Sequence, residues 1–236
     1  MDFDLKGRVA IVTGGNRGIG RAVANALAAE GTELAIAARD MRLLERVACD
    51  LRAKHGVRVL PISYDSRDRA QVDRMVAQTA EEFGRIDILV NNGAPAGGGG
   101  TRMEELTDEY LMEGNLDPKV MGYFRCLRAV VPYMREQGFG RIVNVAGVAA
   151  RQAFAIPGSM RNAAVTAMGK AASFDLGSDG ITVTTVHPGS VYDEDVVGGW
   201  GRATSLDMAN VVTFLSSPRA ACLTGEAIAV ASGHSG

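Results

Sequence analysis

Cysteine is scarce: Cys49, Cys126 and Cys222 are the three in 236 residues, far apart and without the paired spacing of a metal site. So few, and odd in number, they exclude a disulfide framework, and each reads as a small apolar filler. Excess charge is also lacking. The net charge of −2 gives no reason to expect nucleic acid or a membrane surface as partner. No apolar run reaches the roughly 20 residues that cross a bilayer. The opening Met1-Asp2-Phe3-Asp4-Leu5-Lys6 has neither the basic start nor the apolar centre of a secretory signal, which predicts a cytoplasmic protein.

What is present is a regular alternation of apolar runs and amphipathic stretches. Strands are expected at Arg8–Thr13, Glu33–Arg39, Val57–Ile62, Ile86–Asn92, Arg141–Val145, Ile181–Val186 and Ala227–Ala231. Helices are expected at Gly18–Glu30, Gln71–Phe83, Asp117–Gln137, Asn162–Leu176 and about Ser205–Ser216, with a charged helix after the second strand running to about Lys54. Such alternation predicts a doubly wound parallel sheet of about seven strands, covered by helices on both faces in a three-layer α/β/α fold. No linker or repeat interrupts it, so residues 1–236 read as a single domain.

The most specific motif is Thr13-Gly14-Gly15-Asn16-Arg17-Gly18-Ile19-Gly20, which follows an apolar strand and opens a helix. Glycines in such a turn let backbone approach a pyrophosphate, and the helix N-terminus offers free N–H groups and partial positive charge. At the end of the second strand an NAD site ordinarily has a carboxylate for the ribose 2′-OH. Here Ala38-Arg39 stands there and Arg17 lies in the glycine turn, a pair suited to clamping a 2′-phosphate; Asp40, one step further on, is the competing residue. NADP(H) is therefore the expected cofactor. The glycine-rich Ala94–Gly100 directly after the fourth strand reads either as part of the ligand crevice or as a surface loop.

In order and spacing these features resemble the short-chain dehydrogenase/reductase family almost from end to end. The resemblance rests on Thr13-Gly14 with Gly18-Ile19-Gly20, Asp65, Asp87-Ile88-Leu89-Val90-Asn91-Asn92-Gly93-Ala94, Asn115, Gly140–Asn144, Pro188-Gly189 and Leu223–Glu226. It implies that Gly14, Asn16, Arg17, Gly18, Ile19, Gly20, Arg39, Asp65, Ser66, Asn91, Gly93, Pro188 and Gly189 line the cofactor. Asp65 would receive the adenine amine, and Asn91 would prop the central strand. Asn115 matches the family asparagine that holds a water for the proton relay. The resemblance also implies a homodimer or homotetramer built through the helices at 117–137 and 162–176. Met121, Phe124, Leu127, Val131 and Met134 would supply apolar surface there.

The catalytic serine, tyrosine and lysine that the resemblance also implies are missing. Ala146-Gly147 stands where the serine should be. One register places Gly158 and Asn162 at the tyrosine and lysine; a shift by one gives Ser159 and Ala163. Arg151-Gln152 and Asn162-Ala163-Ala164 resemble a divergent branch of the family that also lacks the tyrosine motif. Lys170 lies roughly 12 Å along the helix from Asn162, too far to substitute. Tyr192 is the best remaining phenol, with a plain surface tyrosine as the competing reading. His187 titrates near neutrality when unperturbed but also suits packing. Asp193 falls where a threonine usually meets the nicotinamide, and the stretch 191–201 is short for a substrate lid.

Two functions remain open at this stage. One is an NADP(H)-dependent oxidoreductase acting on a small carbonyl, alcohol or activated alkene, with Asn115 and Tyr192 as its catalytic candidates and no metal. The other is a non-redox cofactor-binding sensor, or an inactive subunit paired with an active relative.

Overall fold

The computed structural model describes residues 2–94, 102–152, 155–192 and 203–231. Seven parallel strands form the sheet: β1 (Val9–Thr13), β2 (Glu33–Ala38), β3 (Val59–Ser63), β4 (Ile88–Asn91), β5 (Gly140–Val145), β6 (Ile181–Pro188) and, last in the chain, β9 (Ala227–Val230). Their spatial order is β3-β2-β1-β4-β5-β6-β9. Between β6 and β9, the two-residue strands β7 (Val191–Tyr192) and β8 (Ala203–Thr204) pair with one another.

Both faces of the sheet are buried, and successive residues of β1 show it. Ala10 and Val12 pack with α1 (Gly18–Ala29), α2 (Met41–His55) and α7 (Ser205–Leu215), through Leu27, Leu44, Met208 and Val212. Ile11 points the other way, to α3 (Arg69–Phe83) and α5 (Gly122–Gln137), through Met75, Leu127, Val130 and Met134. Period-two alternation with apolar residues on both sides is what a covered parallel sheet requires. Helix starts are fixed by side chains: Asp40 caps α2 through Leu43 N, Asp68 caps α3, and Thr204 with Asp207 forms a reciprocal cap on α7. At the opposite end of the strands, the fully buried Asp87 binds Arg8 at 3.0 Å, Arg85 at 2.6 Å and Val9 N at 2.9 Å, tying β1 to β4. The chain direction across the sheet reverses between β1 and β4, and the crevice at the C-terminal ends of these strands is the place for a ligand.

Two helices begin earlier than the sequence suggests. The helix expected from Asp117 starts at Asp108, capped by Thr107, and runs through α4 (Asp108–Leu111) and a π-helical stretch, Met112–Met121, into α5. Pro118 lies inside the π stretch, where the altered bonding ladder accommodates the N–H that proline lacks. The helix expected from Asn162 starts at Ile156 and forms α6 (Ile156–Leu176), with Pro157 in its first turn. Of the apolar residues expected to face a neighbouring subunit, Leu127, Val131 and Met134 are buried within the chain. Met121 and Phe124 are exposed. No helix among the described residues is long and apolar enough to cross a membrane.

Candidate functional site

The glycine turn sits at the C-terminal end of β1 and is packed against the end of β4. Gly14 and Gly18 have positive φ, +67° and +50°. A Cβ on Gly20 would lie 2.2 Å from the Gly14 carbonyl oxygen and 2.5 Å from Asn92 Nδ2, and one on Gly93 would lie 2.8 Å from Gly14 N. The two loops touch backbone to backbone, with no room for side chains. Thr13 fastens them: its hydroxyl accepts from Asn92 N and Gly93 N and donates to the Val90 carbonyl, while Asn92 Nδ2 donates to Thr13 O. At Gly18 a Cβ would meet nothing within 4 Å, so the outer side of the turn is open. Helix α1 begins there with Ile19 half-buried, without a side-chain cap and without an acidic residue in its first turn. A helix start left in this state can take an anion.

Asn16 is half-buried, and Arg17 and Arg39 are exposed, at the start of α1 and the end of β2. Asp40 is committed elsewhere, its carboxylate capping α2 at 3.0 Å. The Asp65 carboxylate is held in a fork by Arg67, with Arg39 close enough to add its charge, and these cations keep it below the usual carboxylate range. Arg67 is half exposed, so the fork opens to solvent. Ser66 is buried and donates to the Pro118 carbonyl, with its Cβ against Gly122; it ties the loop after β3 to the π stretch. Asn91 Nδ2 donates to Asn144 Oδ1 at 2.9 Å across β4 and β5. Pro188 ends β6, and Gly189 lies so close to β9 that a Cβ would meet Ala231 Cβ at 2.9 Å.

The second half of the site lies at the C-terminal end of β5, between the π stretch and α6. Asn115 is buried; its Nδ2 donates to Tyr110 O and its Oδ1 accepts from Arg161 Nη1 at 3.2 Å. Lys119 is 6% exposed, and its Nζ donates to the Ala146 carbonyl at 2.7 Å. Burial, with the Arg161 guanidinium nearby, pulls the Lys119 ammonium down to about 7. Burial also lowers Arg161 itself. Gly147 and Asn162 are fitted to one another, since a Cβ on Gly147 would lie 2.7 Å from Asn162 Nδ2. A serine at Gly147 would therefore require Asn162 to move. Asn162 Oδ1 is buried without a hydrogen-bond partner among the described residues.

His187 has no exposed surface. Its Nδ1 lies 2.8 Å from the Gly147 carbonyl and its Nε2 is 3.5 Å from the Thr166 hydroxyl. Burial lowers its pKa, which favours the neutral ring with Nδ1–H donating to Gly147. It clasps the loop after β5 through Nδ1, while the Thr166 hydroxyl near Nε2 donates to the Asn162 carbonyl at 2.8 Å. Tyr192 lies on β7, 43% exposed, and its hydroxyl makes no hydrogen bond among the described residues. The glycine-rich loop from Pro95, Asp193, Trp200 and most of the short 191–201 stretch lie outside the described residues.

The structure thus brings Asn115 beside Arg161 and Lys119, and sets the glycine turn, Asn92 and Gly93 together, with Tyr192 on a separate two-stranded ribbon. The sequence reading passes over Lys119. Its signal was the spacing: it follows Asn115 by four positions, which a helical stretch turns to one face.

A model of the short chain dehydrogenase family matches residues 8–199. A subunit of (2S)-[(R)-hydroxy(phenyl)methyl]succinyl-CoA dehydrogenase, BbsC of Thauera aromatica, is 32% identical over 251 residues, covering 100% of this chain and 97% of the relative. The 3-oxoacyl-[acyl-carrier-protein] reductase FabG of Staphylococcus aureus is 32% identical over 247 residues, covering 95% and 96%. The crystal structure of L-sorbose reductase from Gluconobacter frateurii, complexed with NADPH and L-sorbose, superposes with a TM-score of 0.91 at 30% identity, covering 100% and 99% of the two chains. This chain belongs to the short-chain dehydrogenase family.

Proposed function

We propose that the whole chain, 1–236, is one NADP(H)-binding domain of an oxidoreductase that interconverts a small carbonyl compound and its alcohol. Relatives named as ketoacyl and sugar reductases support the reaction class, and a neighbour solved with NADPH supports a nicotinamide cofactor. The observation that carries the choice of NADP(H) is the state of the β2 end. Arg39 is an exposed cation there, Arg17 is another at the start of α1, and Asp40, the carboxylate next in sequence to Arg39, is already used as a helix cap.

The residues fit the cofactor. The open side of Gly18 and the uncapped start of α1 would hold the pyrophosphate, with Gly14, Asn16, Ile19 and Gly20 shaping the turn. Arg17 and Arg39 would hold the 2′-phosphate, Asp65 with Ser66 would border the adenine, Asn91 and Gly93 would border the ribose, and Pro188 and Gly189 the nicotinamide. When bound, the nicotinamide supplies or accepts the hydride. The protein's part is to orient the carbonyl and manage a proton near Asn115. Tyr192 faces solvent on its ribbon and would need to turn inward to serve. Exposed Met121, Phe124, Met160 and Phe174 on the π stretch, α5 and α6 support a homodimer or homotetramer.

The test is a titration of the purified protein with NADPH and NADH. NADPH is expected to bind at least tenfold tighter. Replacing Arg39 with Ala should remove roughly 1.5 to 3 kcal/mol of charge-assisted binding from NADPH and leave NADH nearly unchanged. Equal affinities for the two dinucleotides would overturn the NADP(H) assignment, and binding of neither would overturn the oxidoreductase.

A further inference from the structure

At the start of α6 neither register supplies the tyrosine or the lysine: Gly158 or Ser159 stands at the first position and Asn162 or Ala163 at the second. The tyrosine at the end of β5, Tyr123, comes from α5 and donates to the Val145 carbonyl. An amine is nevertheless present, delivered from the opposite helix. Lys119 reaches across from the π stretch to the Ala146 carbonyl, the residue next to Gly147, against which the Asn162 amide is packed. Only one of its three N–H bonds is taken by a hydrogen bond among the described residues. Against Gly147, Asn162 is 5% exposed, and its buried Oδ1 has no donor among the described residues. A buried ammonium with unused donors at Ala146 and a buried acceptor with none at the next residue, Gly147, make a costly arrangement in a structural site. It becomes intelligible where a polar ligand supplies the missing partners. The π-helical turn that aims Lys119 inward is itself an irregularity found often at functional sites.

We propose that Lys119 is the catalytic acid and base of this site, giving its proton directly to the substrate carbonyl oxygen during reduction and taking it back during oxidation. Asn162 and Asn115 position the polar groups around it. The inference rests on the oxidoreductase reading above. In reduction a C–H bond forms at the carbonyl carbon as hydride arrives, and the C=O π pair passes to oxygen. An O–H bond forms as one Lys119 N–H bond breaks. The substrate gains two electrons, the nicotinamide loses two, and the neutral amine regains its proton from water. The groups facing Lys119 are Arg161 from α6, His187 from β6, Tyr110 from α4 by way of Arg161, and Tyr123 from α5. Burial and the Arg161 guanidinium oppose its charge, which makes the ammonium a ready donor near neutral pH.

The chain has four lysines, Lys6, Lys54, Lys119 and Lys170, so each Nζ can be followed separately by NMR with ¹³C-labelled lysine. The signal lost in Lys119→Met is expected to titrate near neutrality, and to shift when NADP(H) and an activated ketone (diacetyl or ethyl acetoacetate) are added. Turnover of those ketones should fall about 10²- to 10⁴-fold in Lys119→Met, with NADPH affinity within about twofold. Lys119→Arg should not rescue it, because a guanidinium keeps its proton. A Lys119 signal titrating near its ordinary value, or Lys119→Met retaining turnover within tenfold of the parent, would overturn the assignment. If that variant does not fold, Lys6→Arg, Lys54→Arg and Lys170→Arg assign the other three signals, and the titration of the remaining one in the parent decides. A parent protein that binds NADPH and reduces no activated ketone removes the oxidoreductase reading and this inference together. That result is distinct from a working parent whose activity ignores Lys119.

Discussion

Replacing Gly20 with Ala isolates the contact on which the proposed dinucleotide cradle depends. Gly20 lies in the first turn of α1, where alanine is the better helix former, so local propensity favours the change. The packing opposes it. The new methyl would sit 2.2 Å from Gly14 O, 2.7 Å from Gly14 C and 2.5 Å from Asn92 Nδ2, and two of these three atoms are backbone. Relief requires α1 to retreat from β1 by about 1 Å, since unstrained carbon–oxygen contacts lie beyond about 3 Å. That retreat pulls on the left-handed Gly14 and on the Asn92 Nδ2 bond to Thr13 O, 3.1 Å in the native turn. Overpacking of this kind costs about 1–3 kcal/mol, and backbone neighbours place it at the upper end. For a chain of this size, about 3 kcal/mol lowers Tm by roughly 6–12 °C. NADPH affinity should fall at least tenfold, because the displaced turn is the one that would hold the pyrophosphate. The control is Gly177→Ala, at the end of α6 with helical φ of −62° and nothing within 4 Å of the new methyl. There a gain of about 0.5 kcal/mol is expected from the stiffer unfolded chain. Calorimetry and dinucleotide titration on both variants decide it. A Gly20→Ala protein with unchanged Tm and unchanged affinity would refute the packing argument.

Other consequences follow from particular contacts. Asp87→Ala removes the carboxylate shared by Arg8, Arg85 and Val9 N, and chemical denaturation should show a loss of about 3 kcal/mol, since two guanidiniums are left facing each other; a loss under 1 kcal/mol would mean that the cluster is not structural. The Lys119 ammonium, at about 7 in the folded chain against an ordinary 10.5, makes stability rise with pH across that interval, because the unfolded chain there holds a proton that the folded one has released. Below the interval the burial penalty is constant. Urea denaturation of the parent and of Lys119→Met should therefore show the parent gaining ground from neutral to alkaline pH, and a constant difference would contradict it. Phe174 is 94% exposed on α6; Phe174→Glu should shift the protein toward monomer in light scattering, and an unchanged mass would remove this face from the proposed oligomer.

The sheet was legible in the sequence because a parallel strand covered on both sides reads as a short apolar run, as at Val9–Val12 and Leu34–Ala38, and its length with the helical stretch that follows tells it from a buried helix. The glycine turn was legible for a related reason: at Gly20 and Gly93 any side chain would strike backbone, so the residue type reports the contact directly. The two late-read helices show where such reasoning stops. Pro118 and Pro157 are both prolines near an expected helix start, yet one lies in a first turn and the other inside a π-helical stretch. A local rule about proline cannot tell these apart, because what accommodates Pro118 is a ladder widened over ten residues. Lys119 was missed for a different physical reason. Reading by correspondence asks whether the expected residue stands at the expected position, and Asn162 answers no. Chemistry, however, requires an amine at a point in space, and a point at the end of β5 can be reached from either flanking helix. Lys119 sits one turn beyond Asn115 and spans the gap to Ala146 with a side chain long enough to cross between elements. The complementary changes are at Gly147 and Asn162, which fit each other and exclude a serine. A single missing side chain reads as loss of function, whereas a missing lysine on α6 together with a buried lysine on the facing helix reads as relocation, and only the fold places the two observations side by side.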